Sequence, residues 1–192
     1  MVIEDCFCYP DKWRRTVRRD SNNKESMLFV VNGDKHWARS AGKKVQEMPL
    51  PRANMRKPAI LAILDQLAGL QESQQEIVVG AEEKVAGKIL IPLTVTAGHR
   101  QSTTYFDRAT GLIAKEIKNY LPDVHSPPET WKNERRVESE TTYGDYKDFD
   151  GVTLPTRMVV SQAGKAVLDI SVVQVEFPAT FDAHAFDKPE DE

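Results

Sequence analysis

The sequence predicts a mostly β protein in which a curved antiparallel sheet is laid over one amphipathic helix. Short runs of β-branched and aromatic residues recur along the chain, each bounded by Gly, Asn, Asp or Pro. Only one stretch, residues 57–75, keeps the three- and four-residue spacing of a helix face. A lone helix with a wide apolar stripe has no helical partner, so it must dock on the sheet.

The elements follow in order. Between residues 9 and 47, Trp13, Thr16 and Val17 sit among arginines, and Met27-Leu28-Phe29-Val30-Val31 runs into Asn32-Gly33, a strong hairpin signal. Two more short strands are expected at His36-Trp37-Ala38 and Lys43-Lys44-Val45, completing a meander. Pro49, Pro51 and Asn54 break the pattern, and Pro58 suits the first turn of a helix. Ile60, Leu61, Ile63, Leu64, Leu67 and Leu70 then form its apolar stripe, with Asp65, Gln66 and Glu72 off it.

Strands resume at 77–80, 88–96 and 102–106, and a turn over 107–111 leads into Leu112-Ile113-Ala114-Lys115, with Gly111 supplying positive φ. His125-Ser126-Pro127-Pro128-Glu129 reads as an extended surface connection. Three strands are expected over 135–147, 152–161 and 165–177, turning at 149–151 and 162–164. In the last strand Val167, Val173 and Val175 alternate with Leu168, Ile170 and Val172, so both faces are expected to be partly buried. Residues 178–192 read as an acidic tail.

A chain of 192 residues suits a single domain with one core. Its 29% charged and 40% hydrophobic residues fit a globular class, and a net charge of −3 points to no particular partner. Lys12, Arg14, Arg15, Arg18 and Arg19 cluster early, but Glu138, Glu140, Asp145 and Asp148 balance them, so no nucleic-acid partner is expected. No run of about eighteen apolar residues marks a spanning helix. The start, Met1-Val2-Ile3-Glu4-Asp5, has no signal-peptide pattern.

Cys6 and Cys8 would share one face of a strand, and they read as ordinary thiols, because a metal site needs more ligands and a redox motif needs two intervening residues. His36, His99, His125 and His184 lie far apart, so no metal site is expected. The chain has no nucleophile elbow, phosphate loop or dinucleotide fingerprint, so neither a cofactor nor an enzymatic activity is expected. Glu140, Asp145 and Asp148 read as solvated surface acids.

Three segments resemble the LolA-like lipoprotein-carrier family. The first is Tyr9-Pro10-Asp11-Lys12-Trp13-Arg14 followed by Phe29-Val30-Val31-Asn32-Gly33-Asp34-Lys35-His36-Trp37. The second is Thr104-Tyr105-Phe106-Asp107-Arg108-Ala109-Thr110-Gly111-Leu112. The third is Tyr143-Gly144-Asp145-Tyr146-Lys147-Asp148-Phe149-Asp150-Gly151-Val152-Thr153-Leu154-Pro155, with 181–189 similar to the family's usual finish. Together these cover about residues 8–189. Family members usually begin with a secretion signal and a helix before the first strand. Neither stands here, which fits a chain truncated at its start.

The resemblance implies an incomplete β-barrel wrapped over the helix and an apolar cavity for acyl chains. It implies a monomer of the periplasm or cell envelope that binds and transports a lipid or an acylated lipoprotein. An envelope sensor or interaction module, with an envelope protein as its partner, is the alternative. The expected cavity wall is Phe29, Val31, Ile60, Leu64, Leu67, Leu93, Val95, Tyr105 and Ile113. An arginine near the first strands takes part in ligand transfer in such carriers, and Arg14 stands closest to that position.

Overall fold

A computed structural model describes residues 1–18, 25–49, 58, 76–97, 100–120, 137–180, 182 and 184–191. The helix expected over 57–75 and the connection over 125–129 lie outside the described residues, apart from Pro58, which is buried. The described residues form antiparallel β structure throughout. The chain groups into two compact units, residues 1–71 with 179–192 and residues 72–178, and among the described residues each meander pairs only within itself.

The first unit holds β1 (Val2–Cys8), β2 (Lys12–Arg18), β3 (Glu25–Asn32), β4 (Lys35–Ser40) and β5 (Gln46–Glu47), paired in sequence order. The Asn32-Gly33 hairpin forms as expected, with Gly33 at a φ of +61°. The strand expected at 43–45 is instead β5, two residues further on. β3 is the centre of the unit because its apolar run is buried on both faces, the pattern of a strand covered twice. Phe29 and Val31 pack with Trp13 and Met48 on one face. Leu28 and Val30 pack with Phe186 on the other.

The acidic C-terminal tail packs within the first unit. Phe186 seats it on β3, the Val45 N–H donates to Asp191 Oδ1 at 2.7 Å, and Arg39 Nη1 donates to the Glu190 carbonyl at 2.7 Å. Arg39 also pairs with Glu25 at 2.6 Å.

The second unit holds β6 (Glu76–Val79), β7 (Glu83–Val85), β8 (Lys88–Ala97), β9 (Arg100–Asp107), β10 (Ile113–Tyr120), β11 (Val137–Phe149), β12 (Val152–Gln162) and β13 (Lys165–Ser171). The ladder runs β13-β12-β11-β10-β9-β8-β6, and β7 also pairs with β8. It is an open sheet among the described residues, not a closed barrel. Asp107 builds the β9–β10 turn: its side chain accepts the Ala109 N–H at 2.9 Å, its carbonyl accepts the Gly111 N–H at 2.7 Å, and Lys88 pairs with it at 3.1 Å. The Ala109 N–H, followed by Lys88, holds the Asp107 carboxyl below the usual range.

The last strand ends at Ser171, six residues short of the expected 177. It is an edge strand, and both its faces are largely exposed, including Val167 and Leu168. Beyond a single Val172 N–H to Thr156 carbonyl bond the chain leaves the sheet, and Val173 is 93% exposed. With its side chains largely exposed and one edge unpaired among the described residues, β13 gains little from further pairing.

Candidate functional site

Register decides which residues share a face of the second sheet, because directly paired residues project to the same side. One row runs Val79, Leu93, Thr104, Glu116, Thr141, Val160, Leu168 across seven strands. A neighbouring row holds Ile91, Phe106 and Ile113, and a third holds Ile77, Val95, Ser102, Lys118 and Ser139. Tyr143, Met158 and Ile170 stand on the same side.

This is the covered side of the sheet. Val95, Thr104, Glu116, Ser139 and Met158 are buried and Leu93, Phe106, Ile113, Val160 and Ile170 are half-buried, while Ile77, Val79 and Leu168, on the outermost strands, are exposed. The opposite side buries Leu90, Pro92 and Asp107 and otherwise carries surface chemistry. There the Thr94 and Thr103 hydroxyls bond at 2.9 Å, Lys115 lies over the Tyr105 ring at 4.3 Å, and Arg157 pairs with Asp169 at 3.1 Å.

The polar residues of the covered face stand on β9, β10 and β11, beside Phe106 and Ile113 at one end of β9 and β10, and its outer strands are mainly apolar. Glu116 is 3% exposed. Its Oε2 accepts from Lys118 Nζ at 2.7 Å and from the Tyr143 hydroxyl at 3.3 Å, whereas its Oε1 has no hydrogen-bond partner among the described residues. Burial, followed by the Glu116 charge, raises the Tyr143 pKa, so this phenol remains a donor at neutral pH.

Glu116 faces inward because of a β-bulge. The β9–β10 register shifts between Ile113 and Lys115, so Ala114 is the extra residue, and Ile113 and Glu116 fall on one side. The Tyr146 hydroxyl donates to the Ile113 carbonyl at 2.6 Å, tying the bulge to β11, and burial pushes the Tyr146 pKa up to about 12.

Of the residues expected to line a cavity, Leu93, Val95 and Ile113 share this face. Tyr105 does not, because it pairs with Pro92 and Lys115 on the opposite side, and its neighbour Phe106 takes the inward position. Phe29 and Val31 belong to the first unit, side by side on the Trp13 face of β3. Ile60, Leu64 and Leu67 lie outside the described residues. Arg14 is half-buried on β2, between Cys6 and Val30 in register. Burial is the main reason the Cys6 thiol pKa is raised, with Arg14 opposing it.

Glu116 and Lys118 were not singled out by the sequence, and Thr104 and Tyr143 stood there only as members of the segments that resemble the LolA-like family. The one available signal was a lone acid among Ile113, Ala114 and Ile117, which strict alternation assigns to the outside. Elsewhere on this unit an open hollow of about 490 Å³ is lined in part by exposed Asp145, Lys147 and Arg157. No group of three His, Cys, Asp or Glu side chains is placed to hold a metal among the described residues. No helix among them is long and apolar enough to cross a membrane.

No protein-family model matches the chain, and no curated protein matches it. Two solved structures do match. One is a domain from Vibrio parahaemolyticus that bears the name outer membrane lipoprotein-sorting protein domain, at 13% identity and a TM-score of 0.60, covering 92% of this chain and 75% of that one. The other is a LolA superfamily protein from Nitrosomonas europaea, at 10% identity and a TM-score of 0.51, covering 80% of this chain. This chain spans 65% of that protein's length. The fold is LolA-like.

Proposed function

We propose that this protein binds, without catalysis, the acyl chain of a lipid or lipoprotein in the cell envelope, and that the covered face of the second sheet is the apolar wall that receives it. The observation behind this reading is the group of half-buried apolar side chains on that face of a LolA-like fold, Ile91, Phe106 and Ile113 in one row and Leu93 in the next. Half-buried apolar area has water left to lose. Each methylene of a chain laid against it gains about 0.8 kcal/mol, so affinity needs few polar groups. The name of the Vibrio parahaemolyticus neighbour supports lipoprotein sorting as the setting.

The neutral probe N-phenyl-1-naphthylamine, whose fluorescence rises in apolar surroundings, tests the reading. The parent protein should bind it. Leu93→Trp, which fills the wall, should weaken binding about tenfold and leave the far-ultraviolet circular dichroism unchanged. A folded parent that binds neither the probe nor a lipid would overturn the proposal. It would favour an interaction module, for which exposed Val78, Val79 and Val173 offer apolar surface.

A further inference from the structure

The polar centre of the covered face is unusual for a wall that has only hydrocarbon to receive. Ser102, Thr104, Glu116, Lys118, Ser139, Thr141 and Tyr143 occupy its three middle strands, and apolar residues flank them toward both ends of the sheet. Within this patch Glu116 is almost wholly buried, yet among the described residues one of its carboxylate oxygens, Oε1, has no hydrogen-bond partner. An unpaired buried acceptor costs free energy, and the cost is larger for a charged one. Lys118 and Tyr143 both donate to Oε2, so the free valence is confined to Oε1.

We infer that Glu116 Oε1 is the acceptor for the head of the bound amphiphile, and that this head is a neutral hydrogen-bond donor, a hydroxyl or an amide N–H. The inference rests on the lipid-binding reading and narrows its ligand. A free carboxylate or a phosphate would bring negative charge to Glu116, and the one Lys118 charge is already paired with it. A neutral donor satisfies Oε1 and brings no charge. Thr104 and Thr141 flank Glu116 on the adjoining strands, and the apolar flanks Leu93 and Val160 continue the same row for the chain.

Displacement of N-phenyl-1-naphthylamine from the full chain at pH 8 tests this. The competitors are 1-monoolein, oleamide and oleate, each below its aggregation threshold. Monoolein and oleamide should displace the probe at concentrations at least tenfold lower than oleate. Glu116→Gln removes the charge and keeps the shape, so it should close most of that gap, chiefly by improving oleate.

Equal displacement by all three amphiphiles, unchanged in Glu116→Gln, would overturn the inference and leave lipid binding standing. That is the outcome expected if an ordered water satisfies Oε1. A parent that binds neither the probe nor any amphiphile would overturn both. Should Glu116→Gln fail to fold, the order of the three ligands on the parent protein decides alone.

Discussion

Ala163 sits in the two-residue turn between β12 and β13 at a φ of +49°, and Gly164 follows at +73°. Both central residues of this hairpin turn are left-handed, which glycine adopts freely and alanine at a cost of about 1–2 kcal/mol. Asn is far better tolerated there. Ala163→Asn should therefore raise stability by about 0.5–1 kcal/mol, read from the urea midpoint at constant m-value. A lowered midpoint would show that the turn is built otherwise. Ala86, at +48° before Gly87, offers the same substitution in the β7–β8 turn. The turn at 162–164 was legible because glycine marks it in the sequence, whereas β7 and its Ala86-Gly87 turn were not read there. The inward placement of Glu116 was not legible either, since it follows from one extra residue, Ala114, that reverses the alternation of β10 after Ile113. Nothing in the local composition marks that bulge.

β3 shows what patterning can and cannot reveal about an element. Its uninterrupted Met27-Leu28-Phe29-Val30-Val31 run identifies a strand covered on both faces, but not what does the covering. One cover is the C-terminal segment, whose acidic, proline-punctuated composition reads as a solvated tail while a single side chain, Phe186, docks it. Phe186→Ala should cost the first unit about 3 kcal/mol, because a buried phenyl leaves both its transfer energy and a cavity. Denaturant unfolding checks this. A loss below about 0.5 kcal/mol would mean that the segment contributes nothing to β3. β13 failed in the opposite direction. Its alternating valines continue to Val175, but strand length depends on a neighbour and a core as well as on propensity, and an open edge supplies neither.

For the whole molecule, consecutive strands joined by tight turns made the antiparallel meanders legible, and chain length made one core the simpler expectation. The division into two units depends on which strands stay unpaired, and a hydrophobic pattern does not record that. The proposed function still makes a prediction about the entire chain. A ligand that binds only the native state stabilises it by mass action, about 2.7 kcal/mol at one hundred times its dissociation constant. For a chain of 192 residues each kcal/mol moves the melting temperature by about 2–4 °C, so monoolein at that level should raise it by about 5–10 °C. The dissociation constant comes from probe displacement, so the size of the shift is set before the melt is run. Oleate at the same concentration, bound more weakly, should shift it less. Displacement of the probe without any thermal shift would mean that the unfolded chain takes up lipid as well as the folded one does. An undiminished shift in Leu93→Trp would place the lipid away from the second sheet.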